Sequence, residues 1–165
     1  MLFRSNPKFR LDLTGLNLTG TDLKRADLAS TNLKGSDLSR SNLAGANLRE
    51  ALLEGSGLER TTFAGATLAG AKLAGANLTG ANLAGADLAW VDLTGAKLAG
   101  AILSWSNLAG SNLAGAKLTG ADFTGANLAG ADFSGAKLGG ADFAGAKLNK
   151  WTKGLTAWQL GGITK

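Results

Sequence analysis

The sequence predicts an all-β solenoid whose chain turns a corner once every five residues. Three observations carry this. From Leu13 to Leu148 every fifth residue is Leu or Phe, 28 consecutive positions with 24 Leu and four Phe (Phe63, Phe123, Phe133, Phe143). Two residues before this centre stands Ala, Ser or Thr in 25 of the 28 units, the exceptions being Leu11, Leu16 and Val91. Two residues after it stands Gly in 20 of the 28. Around an α-helix of about 3.6 residues per turn, residues five apart drift and form no apolar stripe. In a flat strand an odd period throws successive leucines to opposite faces. A corner in each unit removes both problems, because each short side then points one large and one small residue inward. Gly suits the corner, where a type II turn needs positive φ.

The unit itself, seen as ADLAS, SNLAG, ANLTG and ADFTG, resembles the pentapeptide repeat proteins over about residues 11–150. That resemblance implies a right-handed quadrilateral parallel β-helix in which four units make one 20-residue coil. The 28 units then make seven coils, stacked at ~4.8 Å into a rod roughly 34 Å tall. Phe123 and Phe143, 20 residues apart, are expected to stack on one face.

Stacked units bury their apolar side chains only against neighbours, so both ends need caps. Residues 1–10, with Phe3, Pro7 and Phe9, are expected to form the N-terminal cap, and Leu11 and Leu16 to plug the first coil. Residues 11–150 form the β-helix. Residues 151–165, WTKGLTAWQLGGITK, break the period and bring Trp151, Leu155, Trp158 and Leu160, read as a C-terminal cap or oligomer interface. Thr156 and Gln159 have capping-box spacing, which allows a short helix.

Residues 20 apart fall into vertical columns. Numbering the faces from the one carrying Leu13, the outward residue before the centre on face two runs Asn17, Asp37, Gly57, Asn77, Lys97, Lys117, Lys137. The last three form a basic column. Face three gives Asp22, Asn42, Thr62, Asn82, Ile102, Asp122, Asp142. On face one Lys72 lies under Asp92 as a candidate ion pair. Arg40, Arg49, Glu50, Glu54, Glu59 and Arg60 mix both signs and are expected to bridge one another. Trp90 and Trp105 replace Gly at the two corners that bound face four, one coil apart, with Ile102 projecting from face three beside Trp105. The reading that explains them as cover has both indoles lying flat on the Ala-rich face. The functional reading makes Trp90, Trp105 and Ile102 a patch for a protein partner, since Trp is enriched at hot spots. Val91, bulkier than Ala, is expected to bend the core locally.

Composition narrows the function. The chain has no Cys, His or Tyr, which removes the thiolate nucleophile, the usual general base and the commonest metal ligand. No cofactor, metal, small-molecule substrate or catalytic residue is expected. Charge is +5, but no aromatics interleave with the lysines and no nucleic-acid motif occurs, so nucleic acid is not favoured. The N-terminus has no apolar signal region and no run approaches a membrane span, so a cytoplasmic protein without a membrane partner is expected. The first expectation is therefore a non-catalytic structural or interaction scaffold whose partner is another protein, present as a monomer or as a homodimer through its C-terminal end. The family resemblance implies an alternative, because its quinolone-resistance members mimic DNA and act on DNA gyrase. That role rests on a strongly acidic surface, from which this chain departs. A third reading is a partnerless solenoid of engineered or consensus-like origin, suggested by the near-verbatim recurrence of AGAKL and AGADF.

Overall fold

The computed structural model describes residues 10–156. The expected N-terminal cap, apart from Arg10, lies outside the described residues, as do Trp158, Gln159 and Leu160.

Hydrogen-bond accounting in one unit shows why five residues suffice for a side. Asn82 N donates to Thr61 O of the coil below at 2.9 Å, and Leu83 N to Ile102 O of the coil above at 2.7 Å. Gly85 N also donates upward, to Ser104 O at 2.9 Å, and Ala86 N closes the corner onto Leu83 O at 3.0 Å. The remaining amide, Ala84 N, is taken by the Asn82 side chain at 3.0 Å. Every backbone N–H thus has an acceptor, which a packed fold requires. The corner residue sits at positive φ, 64° at Gly85.

Repetition of this unit gives a right-handed quadrilateral β-helix. Each side contributes one bridging residue, so each face is a ladder of single parallel bridges rather than of extended strands. Of the 25 bridges among the described residues, 24 join residues 20 apart. The last, Asp132 to Lys153, spans 21. Pairing therefore continues past the expected boundary at residue 150, with one residue inserted. Thr152 takes the inward small site and donates its hydroxyl to Leu128 O at 2.8 Å. Gly154 takes the central site, where a Cβ would meet the Phe133 carbonyl carbon at 2.3 Å. Residues 150–156 run as turn, bridge and bend, not helix. They begin an eighth coil on face one.

The core is the expected set of ladders. Central Leu and Phe side chains from Leu28 to Phe143 are buried with the small residues beside them. Phe123 and Phe143 stack at 5.0 Å and 5°, and Phe133 enters edge-on from the opposite face at 5.7 and 5.9 Å. Interior Ser36, Ser41, Ser56 and Ser106 donate to the preceding central carbonyl at 2.5–2.7 Å, so they are admitted without an unpaired hydroxyl. Val91 is fully buried and the ladder keeps its register there, Asn112 N to Val91 O at 2.9 Å. Leu11 and Leu16 do not plug the first coil. They stand at its rim, 55% and 45% exposed, because among the described residues no coil lies beneath them.

Candidate interaction surfaces

Trp90 and Trp105 occupy corners in the left-handed region, at φ 59° and 60°, a conformation that costs an L-residue about 1–2 kcal/mol. Both are 73% exposed. Their indoles do not cover the Ala-rich face. Each leans along its own corner onto the residue one coil above. A Cβ at Gly110 would lie 2.5 Å from the Trp90 ring, and one at Gly125 would lie 2.6 Å from the Trp105 ring. Arg25, Glu50 and Arg60 lean in the same way over Gly45, Gly70 and Gly80. The signal was present in the sequence, as a Gly 20 residues after each of these large corner residues. It is legible only once side chains are known to lean toward the C-terminal end.

Between the two indole ridges the floor of face four is polar and hydrogen-bonded. Asn107 donates to Asp87 at 3.0 Å and Asn127 donates to Asn107 at 3.0 Å, while each acceptor also receives the backbone N–H two residues on. Ile102 is exposed on face three, bridged between Asn82 and Asp122. The two indoles make no ring contact with each other.

Lys97, Lys117 and Lys137 form the expected column, bridged in sequence and exposed. The ion pairs differ from expectation. Among the described residues, Lys72 and Asp92 pair through backbone alone. Glu54 pairs with Lys34 at 3.2 Å, and Glu59 accepts from Ser39 at 2.8 Å and from Asn77, so neither bridges the neighbouring arginines. The vertical 20-residue spacing, which sets Lys34 under Glu54 and Ser39 under Glu59, overrides proximity in sequence.

At the C-terminal end Lys150 lies 4.9 Å over the exposed Trp151 ring, and Leu155 is half-buried against the core. An open cavity of about 360 Å³ is lined by Leu148, Asn149, Lys150, Thr152 and Leu155. Asp132 joins Lys153 at 3.8 Å. The Ser134 hydroxyl, then its N–H, and then the Lys153 charge hold the Asp132 carboxyl below the usual carboxylate range. Among the described residues no group of three or more His, Cys, Asp or Glu is placed to hold a metal ion, and no helix is long and apolar enough to cross a membrane.

The sequence model of a family described as pentapeptide repeats matches eight copies, spread from residue 10 to residue 150. Among solved structures, HetL, a pentapeptide repeat protein involved in heterocyst differentiation regulation from the cyanobacterium Nostoc sp. strain PCC 7120, is 27% identical. It aligns over 87% of this chain and 84% of its own, with a TM-score of 0.55. A trypsin-treated form of QnrB1, a plasmid-mediated fluoroquinolone resistance protein, is 23% identical over 86% and 91%, with a TM-score of 0.48. Rfr23, a pentapeptide repeat protein from the cyanobacterium Cyanothece 51142, is 25% identical over 86% and 89%, with a TM-score of 0.26. No curated protein matches the chain.

Proposed function

Because the chain belongs to the pentapeptide repeat family, we propose that it is a non-catalytic scaffold that binds another protein through face four. The observation that carries this is the pair of 73%-exposed indoles, each seated on a glycine and framing a hydrogen-bonded amide floor. Solenoids present extended rigid surfaces of this kind, and exposed Trp supplies large contact area with little conformational freedom to lose. Among the described residues the hollow beside Leu148 and Leu155 is open, and an open hollow does not exclude water from a reacting group. An involvement in regulation, as HetL has in heterocyst differentiation, is compatible with this reading.

Affinity capture from the source cells, comparing the wild-type chain with a Trp90→Gly, Trp105→Gly variant, tests it. Loss of a specific protein from the variant's captured set is expected, with that protein then rebinding purified wild-type chain. Identical captured sets would remove the face-four proposal. The topoisomerase alternative meets a basic rod, with charge +5 and lysines stacked along face two, where mimicry of DNA requires the opposite sign.

A further inference from the structure

Face two is acidic in its lower half and basic in its upper half. Gly57 is the one glycine among the 28 residues that precede a central Leu or Phe. A Cβ there would lie 3.0 Å from Asp37 Oδ1 and 3.4 Å from Ser39 Oγ, so the Asp37 carboxylate takes the space that a side chain would fill. Ser39 joins this carboxylate to a second one. Its N–H donates to Asp37 at 2.9 Å and its hydroxyl to Glu59 at 2.8 Å, while Asn77 donates to Glu59 from the coil above. Two carboxylates are thus held at the level of the third coil. Lys97, Lys117 and Lys137 follow in the fifth, sixth and seventh coils, exposed and in no ion pair among the described residues. The companion column beside them, Thr79, Ala99, Thr119 and Gly139, is small, so the charged groups stand on a face without other obstruction.

From this charge pattern we infer that face two is the contact surface of a homodimer, in which a second copy packs face to face with its rod running antiparallel. The two-fold axis crosses the fourth coil at Asn77. The Asp37 and Glu59 carboxylates then lie against Lys97 and Lys117 of the second copy, and Asn17 against its Lys137. Like charge meets like charge nowhere along the face. A parallel pairing would instead set each lysine against its own counterpart. The antiparallel operation fails on every other face, bringing Asp12 onto Asp132 on face one, Asp22 onto Asp142 on face three and Asp87 onto itself on face four. At the rim it brings Arg40 level with Asp122 of the second copy, and the two Arg60 side chains near each other where solvent screens them. Such a contact is isologous and closes at two copies. A face one unit wide and seven coils tall offers roughly 600 Å² per copy, short of the ~800 Å² of a stable complex, so the dimer is weak and steered by charge. Face two lies opposite face four, so both indole pairs point outward from the dimer.

Charge exchange on the full chain tests the inference. Sedimentation velocity in low salt should show wild-type chain passing from monomer to dimer as concentration rises and going no further. Raising salt from about 0.05 M to about 0.5 M should weaken the dimer by about tenfold or more. A Lys97→Glu, Lys117→Glu variant and an Asp37→Lys, Glu59→Lys variant should each stay monomeric, with circular dichroism spectra matching wild type. Mixing the two restores opposite charges at both halves of the contact and should give a heterodimer. Because the chain has no cysteine, a Thr79→Cys variant reports the axis directly. It should form a disulfide-linked dimer at least about tenfold faster than Ala89→Cys on face four, since thiols held face to face react at a high effective concentration. The inference is overturned by any of four results: a wild-type chain that stays monomeric up to its solubility limit in low salt, growth beyond a dimer, mixed variants that fail to pair, or equal crosslinking of the two cysteine variants. None of these substitutions touches Trp90 or Trp105, so failure here leaves the face-four proposal standing, and the reverse holds too.

Discussion

A tryptophan at a corner carries backbone strain that glycine avoids. At φ 59° Trp90 loses about 1–2 kcal/mol. Against this, the Trp90 residue is about a quarter buried with its ring lying on Gly110, roughly 60 Å² and at most about 1.5 kcal/mol. The two terms nearly cancel, so Trp90→Gly should change stability by less than about 1 kcal/mol in urea unfolding. That near-neutrality makes it a clean probe of binding. Gly110→Ala behaves differently. Like Gly115→Ala it puts a Cβ in the left-handed region, but Gly115 has open space around it while Gly110 meets the indole. Gly110→Ala should therefore cost about 1 kcal/mol more than Gly115→Ala, the value of the displaced ring contact. The excess should vanish in a Trp90→Gly background, as a double-mutant cycle would show. The corner positions of Trp90 and Trp105 were legible from the five-residue count. The direction of their rings was not, because a one-dimensional period does not tell whether a side chain leans sideways onto its face or upward along its corner.

The outward polar residue of a side contributes to the fold beside its leucine. The Asp or Asn before the centre accepts the one amide that neither neighbouring coil reaches, which is why these residue types dominate a site that looks merely solvent-facing. The columns and their membership followed from the sequence, but this capping role did not. Recognising it requires knowing which of five N–H groups is left over. Asn107 does three such jobs, accepting from Ala109 N and Asn127 and donating to Asp87. Asn107→Ala should cost about 1–2 kcal/mol despite its outward position, read by chemical denaturation. Asp132 adds a charge to the same role. Its folded pKa lies below the ordinary value of 3.8 because the Ser134 hydroxyl and N–H, and then Lys153, favour the carboxylate. A depressed acid stabilises the fold above the unfolded pKa and loses that contribution as pH falls through the folded one. Asp132→Asn keeps an acceptor for Ser134 N but not the charge. Wild type should thus be the more stable of the two at pH 6, with the gap closing as pH falls below the ordinary carboxylate value of 3.8 and through the folded one, measured by unfolding at each pH.

The molecule as a whole is a stack in which each coil touches only the coils above and below, so its stability is a sum along one axis. Its two ends are unequal. The first coil has half-buried Leu13, Leu18 and Leu23 beside buried Leu28, whereas the sixth and seventh are filled by the three-ring cluster of Phe123, Phe133 and Phe143. The four phenylalanine positions were readable as a pattern, yet the edge-on entry of Phe133 across the core depends on the width of the rod, which a period does not encode. Hydrogen exchange should follow this asymmetry, with Leu13 and Leu18 amides exchanging faster than Leu88 and Leu108 amides, although all four donate to the coil above at 2.7–2.8 Å. A cavity in the middle is the sharper test. Leu108 is fully buried, and Leu108→Ala should cost about 2–5 kcal/mol. In a nearest-neighbour stack that loss stays local, so exchange should accelerate at Leu88, Leu108 and Leu128 and fall back to wild-type rates two coils away. Uniform acceleration from Leu28 to Phe143 would instead show that the rod opens as one cooperative unit, its coils coupled far more strongly than their single bridges per side provide.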